Sequence, residues 1–544
     1  MSISTKRVSP SGPPGASILI IGEAPGYDED KEGKPFVGKS GEILNMVLAR
    51  HGIDRDSCRV TNICNYRPAN NDFKLLEGTP QLAEGIFDVT EYIQKYASRT
   101  KLIILCGERP LNYILKKYGI SKYRGSVYRR GETLYAVVPH PAATLYDPTT
   151  YPIFAHDIGK ALAYVKSGYK TPLHDFRVYG GGIEAEDVLD EILQAPKIAI
   201  DIEAIKKSSH ILCCGVAVSE TKAYCFYNEE RVGQGISSGF RRVLERLAEH
   251  PYKIFHNGLY DLEMFRLNGV DMDMQWDTMI AQHVMEPEMP RGLDHLTTIY
   301  TDEPYYKDKG KDSIPEDEKG WSAKVDKINL YEYNQIDCIV TYQVAIKQDA
   351  EMDDVDRAMF DYEMSMVPVS RHISQSGMLV DEERRELLGK IIKVDLNKRQ
   401  LLLNNLCGRV VNVNGKIVLR DVLYNQFKLP VKSARSKAGT KVTTKEDAIV
   451  ELIAYAKNEM ERYKTPEKKF EWTKILGALK LILIMRGLLK LHGSYIKFSI
   501  STDGRVRCSY GIAATETGRW NSYKYVDGTG LNAQTFPREK LEYD

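Results

Sequence analysis

Apolar residues fall in short runs over roughly the first 350 positions and in longer helical stripes beyond them. "SILIIG" (17–22), "KLIILCG" (101–107) and "LYAVVPH" (134–140) read as buried strands. Helical patterns such as "GEILNMVLARHG" (41–52) alternate with them, which predicts an α/β layout from 16 to about 168. "KSGYKTPLHDF" (166–176) reads as a polar connector. A second α/β pattern then opens with the strand "KIAIDIEAI" (197–205) and runs to about 350. From there, stripes such as "LLGKIIKVDLNKRQLLLNNL" and "WTKILGALKLILIMRGLLKL" predict helices up to about 493. They are interrupted by a basic insert, "KLPVKSARSKAGTKVTTKED" (428–447), and followed by short strand and turn signals. The expected fold is α/β multidomain, with domains at 1–170, 177–350 and 351–544.

Composition agrees: 544 residues exceed what one core serves, and 43% apolar with 27% charged residues suits a soluble globular chain. A net charge of +1 confines any nucleic-acid surface to local patches. The nine cysteines form no CxxC pair, which fits a reduced, cytoplasmic chain. No run of eighteen apolar residues and no hydrophobic signal core occur, so neither a membrane nor a secreted protein is expected.

The strand at 197–205 holds two acids, Asp201 and Glu203, two apart and so on one face. Their mutual repulsion asks for a counter-charge. "FHNGLYDLEMF" places Asn257 and Asp261 four apart, and "YEYNQIDCIV" does the same for Tyr333 and Asp337, each pair expected on one helical face. Four carboxylates from three elements suit hard divalent cations. A pair of such ions about 3.5–4 Å apart activates water and stabilises the leaving oxygen of a phosphodiester. Tyr333 is placed to orient that water.

The order DxE, NxxxD, YxxxD, with "WDTMIAQHVMEP" and "RGLDHLTTIY" between, resembles the tyrosine-containing DEDD 3′–5′ exonucleases, as in family A DNA polymerases. The resemblance implies an RNase H-like exonuclease domain whose Asp201, Glu203, Asp261 and Asp337 bind two Mg2+ or Mn2+, with Tyr333 assisting the water and Asn257 near the DNA. "EMSMVPVSRHISQSGMLVDEER", "ILIMRGLLKLHGSYIKFS", "DGRVRCSYGIAATETGRWNS" and "LNAQTFPRE" resemble the thumb and first palm segment of the same family. The basic window, with Lys428, Lys432, Arg435, Lys437, Lys441 and Lys445, is expected to follow phosphates or to be a solvated loop. Arg519, Asn532 and Gln534 suit the minor groove of a primer–template duplex, or hydrogen bonds between palm strands.

The first domain carries "LIIGEAPGYDEDKEGKPFVGKSGEIL", "VTNICNYRPANND" and "VVPHPAATL" in order. A Gly-rich loop before a helix suits an anion, though neither GxGxxG nor GK[ST] occurs. Together the motifs resemble the uracil-DNA glycosylase superfamily, its family 4 group above all, and imply an α/β/α domain. The implied pocket has Gly22 and Glu23 beside the sugar and water, Phe36 stacked on a flipped base, Asn62 on the uracil edge and His140 at the leaving base. Family 4 members hold an iron–sulfur cluster; "KRVSPSGPPGAS" lacks the cysteines, and Cys58, Cys64 and Cys106 do not replace them, so no cluster is expected. This domain is expected either to be catalytic or to keep only the fold.

The order of domains resembles replicative polymerases of large bacteriophages. "LNAQTFPREKLEYD" stops short of the family's nucleotidyl-transfer carboxylates, so the expectation is an N-terminal portion or subunit, with a second polypeptide supplying palm and fingers. A freestanding repair nuclease and a catalytically silent DNA-tethering module are the alternatives.

Overall fold

The computed structural model describes residues 3–182, 184–205, 208–230, 235–308, 327–436 and 439–536, with the side chains of 434–441 excepted. Two compact units emerge: Met1–Val367 with Ile512–Arg519, and Pro368–Gly511 with Trp520–Asp544.

The first unit holds two sheets. Strands β1 (Ile18–Gly22), β2 (Arg59–Asn62), β3 (Leu102–Cys106), β4 (Val127–Arg130) and β5 (Thr133–Val138) are ordered β2-β1-β3-β5-β4. All pairs are parallel except β4 with β5. The three central strands, β1, β3 and β5, are buried along their whole length because both faces are covered. Along β1, Ile18 and Ile20 point into one core with Leu44, Val47 and Phe154, while Leu19 and Ile21 join the opposite core with Leu82 and Val89. Helices α1 (Lys39–Arg50) and α2 (Thr150–Ser167) cover the first of these faces. This is the α/β/α sandwich expected from the sequence.

The second sheet has strands β6 (Asp175–Tyr179), β7 (Ile198–Ala204), β8 (Ile211–Ala217), β9 (Lys222–Tyr227), β10 (Lys253–Phe255) and β11 (Trp276–Asp277). Their order is β11-β10-β7-β8-β9-β6. The β7–β8–β9 meander is antiparallel, whereas β6, β10 and β11 join in parallel. Residues 175 and 176, read as the end of a connector, are instead the start of β6, paired with Lys222 and Ala223. Helix α3 (Leu259–Leu267) follows β10, and α4 (Lys327–Glu351) packs across β7, β8 and β9.

In the second unit, α5 (Glu382–Cys407), α6 (Glu446–Arg462) and α7 (Pro466–Leu491) enclose a core of Leu403, Ile449, Leu452, Leu479 and Ile482. The basic insert between α5 and α6 forms an antiparallel hairpin, Ser433–Ser436 with Gly439–Val442. Among the described residues no helix is long and apolar enough to cross a membrane.

Candidate active sites

Strand β7 lies between β10 and β8 in the second sheet and presents Asp201 and Glu203 on one face. A register shift follows Glu203, at the end of its pairing with β8. Helix α4 brings Asp337 over that face, and Asp201, Glu203 and Asp337 each place an oxygen within 4.8 Å of the others. Asp261, in the first turn of α3, is 5% exposed, and its Oδ1 accepts the backbone N–H of Ile202 at 3.3 Å. It therefore abuts the residue between the two strand acids. All four carboxylates meet around one stretch of β7.

Burial, then the neighbouring Asp337, pushes the Asp201 carboxyl up to about 8. Burial, then Asp201, raises Glu203 and Asp261 well above the usual range. Negative charge is thus crowded here with too little compensation, the condition that a bound divalent cation relieves. The donors are all hard oxygens, and the cluster fits such an ion. Tyr333 sits on α4, one turn before Asp337, and is 8% exposed. Burial, then Asp337, raises its phenol, which stays protonated and able to donate.

Asn257 departs from the helical-face reading. It precedes α3, at φ 58°, and its N–H and that of Gly258 donate to the Asp277 carboxylate at 3.1 and 2.8 Å. A tight turn held by Asp277 replaces the extra helical turn, and Asn257 is exposed there.

Sequence reasoning passed over three residues of this site. The side-chain amide of Asn334 donates to Asp201 Oδ2 at 2.8 Å; its spacing of three from Asp337 on α4 was the available signal. Tyr306 donates its hydroxyl to Asp337 Oδ1, and Lys307 Nζ lies 3.5 Å from the same oxygen. No periodic pattern marks those two, because they lie outside any regular helix or strand.

The pocket of the first sheet lies at the C-terminal ends of its parallel strands, where ligand sites of open α/β sheets form. Gly22 ends β1 opposite Asn62 at the end of β2. A Cβ on Gly22 would fall 2.4 Å from Asn62 Oδ1 and 2.6 Å from the Phe36 ring. Glu23 Oε1 accepts the N–H of Arg109 at 3.3 Å, and a Cβ on Gly107 would meet Glu23 Oε1 at 2.6 Å and His140 Cβ at 3.1 Å. The Phe36 and His140 rings stack with centroids 5.7 Å apart. Two glycines thus let Glu23, Phe36, Asn62 and His140 approach one another.

Asn62 is 2% exposed, and its Nδ2 has no hydrogen-bond partner among the described residues. A buried amide donor left open beside an aromatic wall suits a polar ring edge. Burial holds the His140 imidazole down to about 4, and its Nδ1 accepts the N–H of Ala142 at 3.2 Å. The neutral ring therefore carries its proton on Nε2, as a donor. Burial raises the Glu23 carboxyl, against the opposing pull of the Arg109 N–H. Cys58 and Cys106 belong to one core of this sheet and Cys64 to the other.

In the second unit, Lys432 Nζ pairs with Glu451 at 2.5 Å. Arg435 and Lys441 lie on the paired strands of the hairpin, and Lys437 lies outside the described residues. Asn532 Oδ1 accepts from Ser522 Oγ at 2.5 Å, and Gln534 Nε2 donates to the Trp520 carbonyl at 3.0 Å. Both amides therefore serve a turn in this structure. Arg519, in the segment that belongs to the first unit, is exposed.

Residues 9–165 match the uracil DNA glycosylase superfamily, and residues 181–352 match the family described as 3′-5′ exonuclease. A type-4 uracil-DNA glycosylase of Sulfurisphaera tokodaii is 34% identical over 168 residues, which is 29% of this chain and 73% of that protein. The DNA polymerase of Bacillus phage SP01 is 25% identical over an alignment of 620 positions that covers 98% of this chain. The chain spans 64% of that relative's length. DNA polymerase I of Pseudomonas aeruginosa is 26% identical over 306 residues, covering 52% of this chain and 30% of that protein.

Proposed function

Since the chain belongs to the uracil-DNA glycosylase superfamily through residues 9–165, and is homologous to phage family A DNA polymerase over nearly its whole length, we propose that its exonuclease domain trims 3′ ends of DNA as the proofreading activity of a replicative polymerase. The observation that carries this reading is the convergence of Asp201, Glu203 and Asp337 within 4.8 Å, with Asp261 against the same strand.

The reaction is hydrolysis. Water attacks the terminal phosphorus, the P–O3′ bond breaks, and a nucleoside 5′-monophosphate leaves a shortened strand with a free 3′-hydroxyl. Asp201, Glu203, Asp261 and Asp337 would hold divalent ions of the Mg2+ or Mn2+ type, which activate the water and stabilise the leaving oxygen. Tyr333, protonated and one helical turn before Asp337, accepts or donates a hydrogen bond to orient the attacking water. Asn334 keeps Asp201 in place from the helix that carries Asp337.

The test is a primer carrying a matched or mismatched 3′ terminus, or a single strand, in Mg2+. Mismatched and single-stranded ends are expected to shorten fastest. Changing Asp201 and Glu203 to Ala should abolish trimming while DNA binding persists; continued trimming by that variant removes the reading.

A second reading concerns the first sheet, and the open Nδ2 of Asn62 favours it. Residues 9–165 excise uracil from DNA. Breaking an N-glycosidic bond develops positive charge on the sugar and negative charge on the base. Glu23 stands by the sugar, and Nε2–H of His140 donates to the departing base. Phe36 supplies the stacking wall for a base taken out of the helix. Release of free uracil from a single-stranded oligonucleotide tests it, and intact glycosidic bonds after exhaustive incubation would refute it.

A further inference from the structure

The segment after helix Leu293–Tyr300 runs between the two sheets of the first unit and faces both. On the side of the first sheet, Lys160 Nζ donates to the carbonyls of Thr298 and Thr301 at 2.8 and 2.6 Å. The Tyr305 N–H donates to Ser126 Oγ at 3.0 Å, and the Tyr305 ring meets the Tyr123 ring edge-on at 4.8 Å. The Tyr123 hydroxyl donates to the Asp308 carboxylate, which Lys122 Nζ also approaches at 3.5 Å. The two residues between these anchors turn the other way. Tyr306 and Lys307 both address Oδ1 of Asp337, and the Tyr306 and Tyr333 rings lie 6.0 Å apart.

We propose that the glycosylase-like domain builds part of the exonuclease site: by gripping Tyr305 and Asp308 it holds Tyr306 against Asp337, and Tyr306 is a positioning residue that fixes this carboxylate for metal binding. The inference rests on the nuclease reading above. A carboxylate whose one oxygen is fixed by a hydroxyl presents its other oxygen in a single orientation, while the ammonium 3.5 Å away supplies charge. Groups that orient a ligand in this way are worth roughly 10- to 100-fold in metal affinity or activity. The glycosylase-like domain thereby serves the nuclease whether or not it excises a base. Its contribution is mechanical, through two hydrogen bonds, one ring contact and the Lys122–Asp308 ion pair.

The test uses the whole chain and two variants, Tyr306→Phe and the double change Tyr123→Phe with Ser126→Ala. The first reading is thermal stabilisation by Mn2+ alone, without DNA. Both variants should need about 10-fold more Mn2+ for half the shift. The second is trimming kinetics, where kcat at limiting Mn2+ should fall, KM for DNA should hold, and excess Mn2+ should restore the rate. Circular dichroism and the metal-free melting temperature report folding. An unchanged Mn2+ midpoint in folded Tyr306→Phe overturns the positioning role. An unchanged midpoint in the folded double variant overturns the contribution of the glycosylase-like domain. A loss confined to KM overturns both. If the Asp201 and Glu203 double variant still trims, it is the nuclease reading that fails, so the two failures are distinguishable.

Discussion

The side-chain amide of Asn334 donates to Asp201 twice, to Oδ2 at 2.8 Å and to the backbone carbonyl at 3.1 Å. It pins the helix that carries Asp337 to the strand that carries Asp201. The distance between two carboxylates from different elements therefore depends on a neutral residue between them. Replacing Asn334 with Ala should lower 3′ trimming about 10- to 100-fold, with DNA affinity retained, because a supporting group is lost. Gel assays of a labelled primer measure this, and a wild-type rate would refute it.

The crowding of charge predicts a stability that depends on pH and metal. Asp201 titrates near 3.8 when exposed and is raised to about 8 in the fold. Its stabilising contribution is complete below the lower value and is lost as pH rises through the higher one. Buried His140, His256 and His295, lowered to between about 3 and about 4, contribute in the opposite sense, but only as pH falls below about 6.5. Buried Lys160, lowered to about 8, gains stability only as pH rises past that value, so between pH 7 and 8 the metal-free protein should melt at falling temperatures. Mn2+ should reverse the fall, and Asp201→Asn should lessen it, Glu203 and Asp261 carrying the rest. Calorimetry in chelator and in Mn2+ measures both, and an equally steep fall in Asp201→Asn counts against the account.

Lys307 supplies positive charge to the cluster before any metal arrives, and its side chain is 15% exposed. Nearby Asp337 and Asp201 hold its ammonium in the charged form, against the opposing effect of burial. Lys307→Met should destabilise the metal-free protein on the order of 3 kcal/mol, since a buried charge loses its partner. The stabilisation by Mn2+ should grow, because lysine and metal compensate the same carboxylate charge. Melting curves with and without metal decide it; a smaller Mn2+ shift would contradict the reasoning.

The pocket of the first sheet depends on having no side chain at residue 22. In Gly22→Ala, the added methyl would sit 2.4 Å from Asn62 Oδ1 and 2.6 Å from the Phe36 ring, so one of them must move. Base excision should be lost by at least about 100-fold, in line with removal of one aligned donor. Excision by the unchanged protein should show no titration from His140 between pH 5.5 and 8, since that ring is neutral throughout. A pH–rate profile of uracil release checks this, and an inflection near 6.5 that His140→Asn removes would refute it.

The alternation of Ile18 and Ile20 with Leu19 and Ile21 was enough to announce a strand buried on both faces. Likewise, the spacing of Tyr333 and Asp337 was enough to place both on one face of a helix. Such patterns are local, and the periods of helix and strand translate them directly into faces. The same rule misplaced Asn257, because Asp277, twenty residues on, captures the N–H groups that a further helical turn would have used. Strand β6 escaped notice because an edge strand needs little apolar sequence once β9 supplies its hydrogen bonds.

Residue order already tells which chemical groups are present and which of them share an element: the strand acids, the helix with its tyrosine and aspartate, the glycine before Glu23. Tertiary structure alone decided what stands around those groups. Tyr306 and Lys307 meet Asp337 from a segment whose neighbouring residues, Tyr305 and Asp308, bond to Ser126 and Tyr123 of the first domain. Asn62 fits at the end of its strand beside Gly22, where a side chain would run into its Oδ1. Contacts of that kind join residues far apart in the chain, and no local period records them.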